Sequence, residues 1–147
     1  MNPEREPVIV EYTFAADIQT VWNSITVVEQ MRQWFFENIE SFRPEAGFET
    51  QFMVHSGGRN FLHQWKITDV ETLKRIIIHW TYDGFPGNSN VRFELSGEGR
   101  QTQLRILHQG IESFPQDIPE FSRDSCRNGW EYFIGNRLKE YLERIPD

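Results

Sequence analysis

From Val8 to Phe14 apolar and polar residues alternate, the period-two pattern of a half-buried strand. The pattern then changes to steps of three and four at Ile18, Val21, Trp22 and Ile25, which predicts a short helix. Asp17 stands just before it, where a carboxylate can accept from free backbone amides. Thr26-Val27-Val28-Glu29 has the Thr-x-x-Glu spacing of a capping box, so a second short helix is expected through Met31 to about Trp34. The two helices should be joined almost without a loop, with Trp22 on the outer side.

Period two returns and holds to about residue 110. Phe48, Phe52 and Val54 alternate with Glu49 and Gln51. His55-Ser56-Gly57-Gly58 reads as a hairpin turn, because glycine reaches the positive φ that tight turns need. Phe61, His63, Trp65 and Ile67 share one face of the next strand, and Asp69 continues the same parity. Ile76, Ile78, Trp80 and Tyr82 share a face of the strand after the Glu71–Leu73 turn. A loop at residues 83–88 follows, then Val91, Phe93 and Leu95, a turn at Gly97-Glu98-Gly99-Arg100, and Leu104, Ile106 and His108. Turns this short imply an antiparallel meander.

The period changes again towards the C-terminus. Ile118, Phe121, Cys126, Trp130, Phe133, Ile134, Leu138, Tyr141 and Leu142 form one apolar stripe, predicting a single amphipathic helix from about Pro119 to Glu143. Gly129 inside it costs roughly 1 kcal/mol against alanine, and close approach to the sheet would explain its presence. A sheet with one wet face must cover the other, and only this helix is large enough to do so. The expected fold class is α+β: a curved antiparallel sheet of six to seven strands wrapped round a long C-terminal helix, with two short helices after the first strand. Residues 1–147 are read as one domain, since domains cluster at about 100–150 residues.

Composition narrows the partners. Fifteen Lys and Arg against 22 Asp and Glu leave a net charge of −7, which repels nucleic-acid backbones and anionic membranes. Residues 76–78, the longest aliphatic run, are far too few to cross a bilayer. A single cysteine, Cys126, cannot close an internal disulfide, and Met1 to Pro7 contain no apolar signal core, so a cytoplasmic location is expected. The four histidines, His55, His63, His79 and His108, show no metal-ligand spacing, and Ser24 and Ser125 lie in no nucleophile motif. No metal, cofactor or catalytic residue is assigned.

Several short motifs carry a resemblance over most of the chain. Val21-Trp22-Asn23-Ser24-Ile25-Thr26, Trp34-Phe35, the turn Pro44-Glu45-Ala46-Gly47-Phe48, the strand Arg75 to Trp80, Val91-Arg92-Phe93-Glu94-Leu95, Leu107-His108-Gln109-Gly110 and Gly129-Trp130 occur in a characteristic order. Together they resemble the homologues of the activator of heat-shock protein 90 ATPase, within the START and birch-pollen-allergen-like (SRPBCC) superfamily. The chain departs from that pattern at two turns: Glu45-Ala46-Gly47 replaces Pro-Gly-Gly, and Glu71-Thr72-Leu73-Lys74 replaces a Pro-Pro turn. The resemblance implies a helix-grip fold with a cavity between sheet and helix that holds an apolar small molecule.

Aromatic residues make up 14% of the chain, enough to wall such a cavity. The candidate ligand-binding residues are Phe48, Phe52, Trp65, Trp80, Trp130 and Phe133 on inward faces. His63 and His108 share the inward parity, and the loop residues Phe85, Phe114 and Phe121 are placed at the mouth. Filling the core is the competing explanation for the rings, as hydrogen bonding within the core is for the histidines. The three inward indoles each carry an N–H that needs a partner, which a ligand or a trapped water would supply. The leading functional reading is an apolar or aromatic small-molecule-binding domain. Two alternatives stay open: an enzyme acting on an aromatic or polyketide-like substrate, with His63, His108 or Asp69 moving protons, and a partner of a heat-shock ATPase.

Overall fold

The computed structural model describes residues 6–145. Six strands, β1 (Val8–Phe14), β2 (Glu49–Ser56), β3 (Arg59–Glu71), β4 (Arg75–Tyr82), β5 (Ser89–Glu98) and β6 (Gln101–Gln109), form one antiparallel sheet in the order β1-β6-β5-β4-β3-β2. Strand pairing is local except for β1, which closes against β6 with Val8 opposite His108 and Phe14 opposite Thr102. The sheet curves round a C-terminal helix, α3 (residues 123–144), in the helix-grip arrangement.

Two short helices, α1 (Ile18–Thr26) and α2 (Val28–Trp34), follow β1 and meet at the single residue Val27. Asp17 caps α1 by accepting from the Thr20 amide at 2.8 Å, and this hydrogen bond holds its carboxyl below the usual range. The Thr26 capping box does not form. Thr26 is buried as the last residue of α1, and its hydroxyl donates to the Trp22 carbonyl instead. Trp22 is also core and not outer surface, at 5% exposure.

The hairpin after β2 turns at Gly57 and Gly58, both with positive φ, as glycine allows. β5 runs on through Gly97 to Glu98, so the following turn is shorter than the sequence suggests. Asp69 departs from its expected parity. The register slips between Ile67 and Asp69, as a β-bulge requires, and turns Asp69 out of the inward row. Its carboxylate accepts from Arg75 at 2.6 Å, while Glu71 takes the other arm of the same guanidinium at 2.5 Å.

The last helix begins at Arg123 and not at Pro119. Pro119–Phe121 is a separate 3₁₀ turn, and Ser122 is extended and caps α3 by accepting from the Ser125 amide. The helix is continuous through Gly129 and buries Trp130, Ile134, Leu138 and Leu142. These four lie at steps of four, and each such step overshoots a 3.6-residue turn by about 40°. On a straight α-helix the stripe would rotate off the sheet. Residues Glu131–Leu138 adopt wider π turns, which return it to the core. Gly135, in that segment, is the glycine of close approach: a Cβ there would lie 2.6 Å from the Tyr12 ring. Gly129 meets nothing within 4 Å and lines an empty space instead.

A candidate ligand cavity between the sheet and the C-terminal helix

The space beside Gly129 is a cavity of ≈ 260 Å³ between the first half of α3, the ends of β3, β4 and β6, and the end of α2. Each element contributes for a local reason. Period two on β4 aims Trp80 and Tyr82 inward, and on β3 it aims Phe61 and His63 inward, so His63 and Tyr82 become cross-strand partners with rings 4.8 Å apart. On α3, Cys126, Gly129, Trp130 and Phe133 share one helical face. The chain leaves α2 at Phe35 in a non-helical conformation, and Phe35 and Phe36 both turn into the cavity wall.

Of the candidate residues, His63, Trp80, His108, Phe114, Phe121, Trp130 and Phe133 line this space. Phe48, Phe52, Trp65 and Phe85 do not. Trp65 is 2% exposed and sits behind the wall, 4.9 Å from Trp80, with Phe52 edge-on to it. Phe48 packs edge-on to Phe42 and lies under the Arg43 guanidinium. Phe85 packs on Phe61 and Phe121 in a small second cluster with Phe114. Phe35, Phe36, Tyr82, Cys126 and Gly129 line the cavity without having been assigned to it. Their signals were present: three consecutive aromatics at a helix end, a fourth inward position on β4, and a glycine in mid-helix.

The two buried histidines differ in what they have left to offer. His108 is fully engaged. Its Nδ1 accepts from the Trp130 indole N–H at 3.1 Å and lies 3.3 Å from the Cys126 Sγ, while Nε2 donates to Ser89 Oγ at 2.9 Å. Ser89 Oγ in turn donates to the Trp80 carbonyl at 2.7 Å. The expected need of Trp130 for a ligand or water partner is therefore met by the protein. Trp65 and Trp80 keep indole N–H groups without a hydrogen-bond partner among the described residues. His63 uses Nδ1 alone, against the Phe61 carbonyl at 3.1 Å.

Burial sets the charge of the two imidazoles, the thiol and the phenol in the wall. It pushes His108 down to about 3, and His63 down to about 4 against a weaker pull from the Phe61 carbonyl. It pushes the Cys126 thiol up to about 12, with Trp130, Arg123 and Arg127 offsetting a part, and holds the Tyr82 phenol well above its usual range. At neutral pH these four groups are uncharged, and the Glu120 side chain in the same wall is paired with Arg59 at 3.2 Å. No group of three or more metal-ligating side chains occurs among the described residues, and none of their helices is long and apolar enough to cross a membrane.

Solved structures share this architecture. A structural-genomics protein from Rhodobacter sphaeroides superposes with a TM-score of 0.76 at 18% identity, covering 99% of this chain and 97% of that one. DynU16, a protein of the dynemicin biosynthetic locus, gives 0.73 at 24% identity over 95% of this chain, which spans about half (48%) of that longer one. CalU16 from Micromonospora echinospora gives 0.61 at 23% identity, covering 92% of this chain and 75% of that one. A search of curated proteins finds no match. The family model of the Activator of Hsp90 ATPase homolog 1-like proteins matches residues 15–143, from just before α1 almost to the end of α3. The chain belongs to that family.

Proposed function

We propose that this protein binds an apolar or aromatic small molecule in the cavity between β3, β4 and α3. The observation that carries this reading is the cavity itself: ≈ 260 Å³ walled largely by rings, with a glycine on the helical face that lines it, where an added Cβ meets nothing within 4 Å. A cavity of about 150 Å³ already admits benzene, so this one has room for two fused rings. Burying about 200 Å² of ligand would contribute on the order of 5 kcal/mol before entropy costs, at ~25 cal/mol per Å², which corresponds to weak binding, submillimolar at best. The family's fold, shared with SRPBCC-type structures such as DynU16 and CalU16, is one that holds hydrophobic ligands, which agrees with this reading.

Binding is favoured over catalysis by the state of the Cys126–His108 pair in the wall. Cys126 and His108 face each other at 3.3 Å, but the thiol is pushed up to about 12 and the imidazole down to about 3, so the proton stays on sulfur. The Trp130 N–H also occupies the nitrogen that would act as base. Titration of naphthalene into the protein, followed by tryptophan emission and calorimetry, tests the reading. Binding should be saturable, lost in Gly129→Leu and kept in Trp22→Leu, which removes a buried indole outside the cavity. No saturable binding, or equal binding by Gly129→Leu, would refute it.

A further inference from the structure

Granted the ligand cavity proposed above, its polar groups decide which ligands it takes. The two imidazoles in the wall are unequal. His108 has both ring nitrogens engaged, by Trp130 and Ser89, and has nothing to offer a guest. His63 Nδ1 faces the Phe61 carbonyl, and a carbonyl only accepts, so that nitrogen carries the hydrogen. The other nitrogen, Nε2, then bears a lone pair, and it makes no hydrogen bond among the described residues. The ring is held in place on several sides, 5.1 Å from Phe36, 5.1 Å from Phe52, 5.6 Å from Trp80 and 4.8 Å from Tyr82. It is an oriented acceptor in a wall made mostly of aromatic carbon, which also carries the Trp80 indole N–H, the Tyr82 phenol, the Cys126 thiol, Ser56, Ser125 and Glu120.

Charge selects further. No Lys or Arg is among the residues lining the cavity, and the carboxylate of Glu120 is already there. An anionic ligand would bring a second negative charge into apolar surroundings without a countercharge, which costs several kcal/mol. A neutral hydroxyl has no such cost, and its proton meets an acceptor whose position is already fixed. A ketone or ether of the same size has no proton for that acceptor.

We infer that His63 is a specificity-determining residue: its Nε2 accepts the O–H of an uncharged, hydroxylated aromatic ligand of about two fused rings, and the cavity rejects the corresponding carboxylate. This rests on the ligand-cavity reading, and three probes separate the two. Calorimetry at pH 7 on the whole chain compares naphthalene, 2-naphthol and 2-naphthoate. One well-placed hydrogen bond should make 2-naphthol bind about tenfold more tightly than naphthalene. 2-Naphthoate should bind at least tenfold more weakly than 2-naphthol. In His63→Leu the ratio of 2-naphthol to naphthalene affinity should fall to near one, and in His63→Gln, which restores an acceptor oxygen, it should recover in part. In the unmodified protein the ¹⁵N resonance of His63 Nε2 should move on adding 2-naphthol and not on adding naphthalene, a readout that stands even if the variants fold poorly. Equal binding of naphthalene and 2-naphthol, an unmoved Nε2 resonance, or 2-naphthoate binding as tightly as 2-naphthol overturns the selectivity and leaves the cavity reading intact. Failure of all three probes to bind overturns both.

Discussion

Acidification should destabilise the fold well before its carboxylates are protonated. His63 and His108 are buried and neutral, with folded values of about 4 and about 3 against an ordinary 6.5. Below 6.5 the unfolded chain takes up protons at these two side chains and the folded chain does not, so the unfolded state gains. Their contribution is complete above pH 6.5 and is lost as pH falls through the window from 6.5 towards 4 and 3. Each group costs about 1.4 kcal/mol per pH unit in that window. Between pH 6.5 and pH 5 the two together remove about 3 kcal/mol, a large share of the 5–15 kcal/mol typical of a domain. Asp17, whose folded value is lowered, acts in a separate window, because its contribution is lost only as pH falls below the ordinary carboxylate range. Urea denaturation at half-unit pH steps from 7.5 to 5, on the parent and on His63→Leu, reads the effect directly. The variant retains one buried imidazole, so its loss over the same interval should be about half. A parent stability constant within about 1 kcal/mol from pH 6.5 to 5, or a slope unchanged by His63→Leu, would refute the assignment of neutral buried imidazoles.

The two glycines of α3 should respond in opposite ways to the same substitution. Gly129→Ala places a methyl group in open space and improves helix propensity, so thermal denaturation should show stabilisation of about 0.5–1 kcal/mol, with weaker naphthalene binding. Gly135→Ala drives a methyl group into the Tyr12 ring and should destabilise by about 1–3 kcal/mol; a Tyr12→Leu background that leaves the penalty unchanged would refute the contact. Ser89→Ala removes the acceptor of the His108 Nε2 proton and should cost about 1–3 kcal/mol by leaving a buried donor unpaired, measurable as a shift in the denaturation midpoint. Cys126 should react slowly with iodoacetamide at pH 8, because burial holds its thiol protonated; rapid alkylation of the folded protein would contradict that state.

Much of the architecture was legible in the sequence because it depends on local periodicity. Alternation assigns β1 to β6, and glycine at residues 57 and 58 turns the hairpin whatever surrounds it. Asp17 caps α1 through a hydrogen bond three residues long, and the stripe from Trp130 to Leu142 identifies the helix that the sheet must cover. Strand parity brought His63, Trp80 and His108 to the cavity wall, and the helical stripe brought Trp130 and Phe133. What the sequence left open depends on contacts between residues distant along the chain. The slip between Ile67 and Asp69 reverses the parity of Asp69 without any change in the alternation pattern. Trp65 and Trp80 look equivalent as neighbouring inward indoles, yet one fills the core and the other borders the cavity, because only the packing of Phe35 and Phe36 determines where the filled space ends. The same holds for the polar groups. Whether Trp130 needs a ligand, and whether His63 or His108 has a nitrogen to spare, follows from which atoms lie within hydrogen-bond distance. For Trp130 and His108 those contacts are set by how β5, β6 and α3 pack on one another.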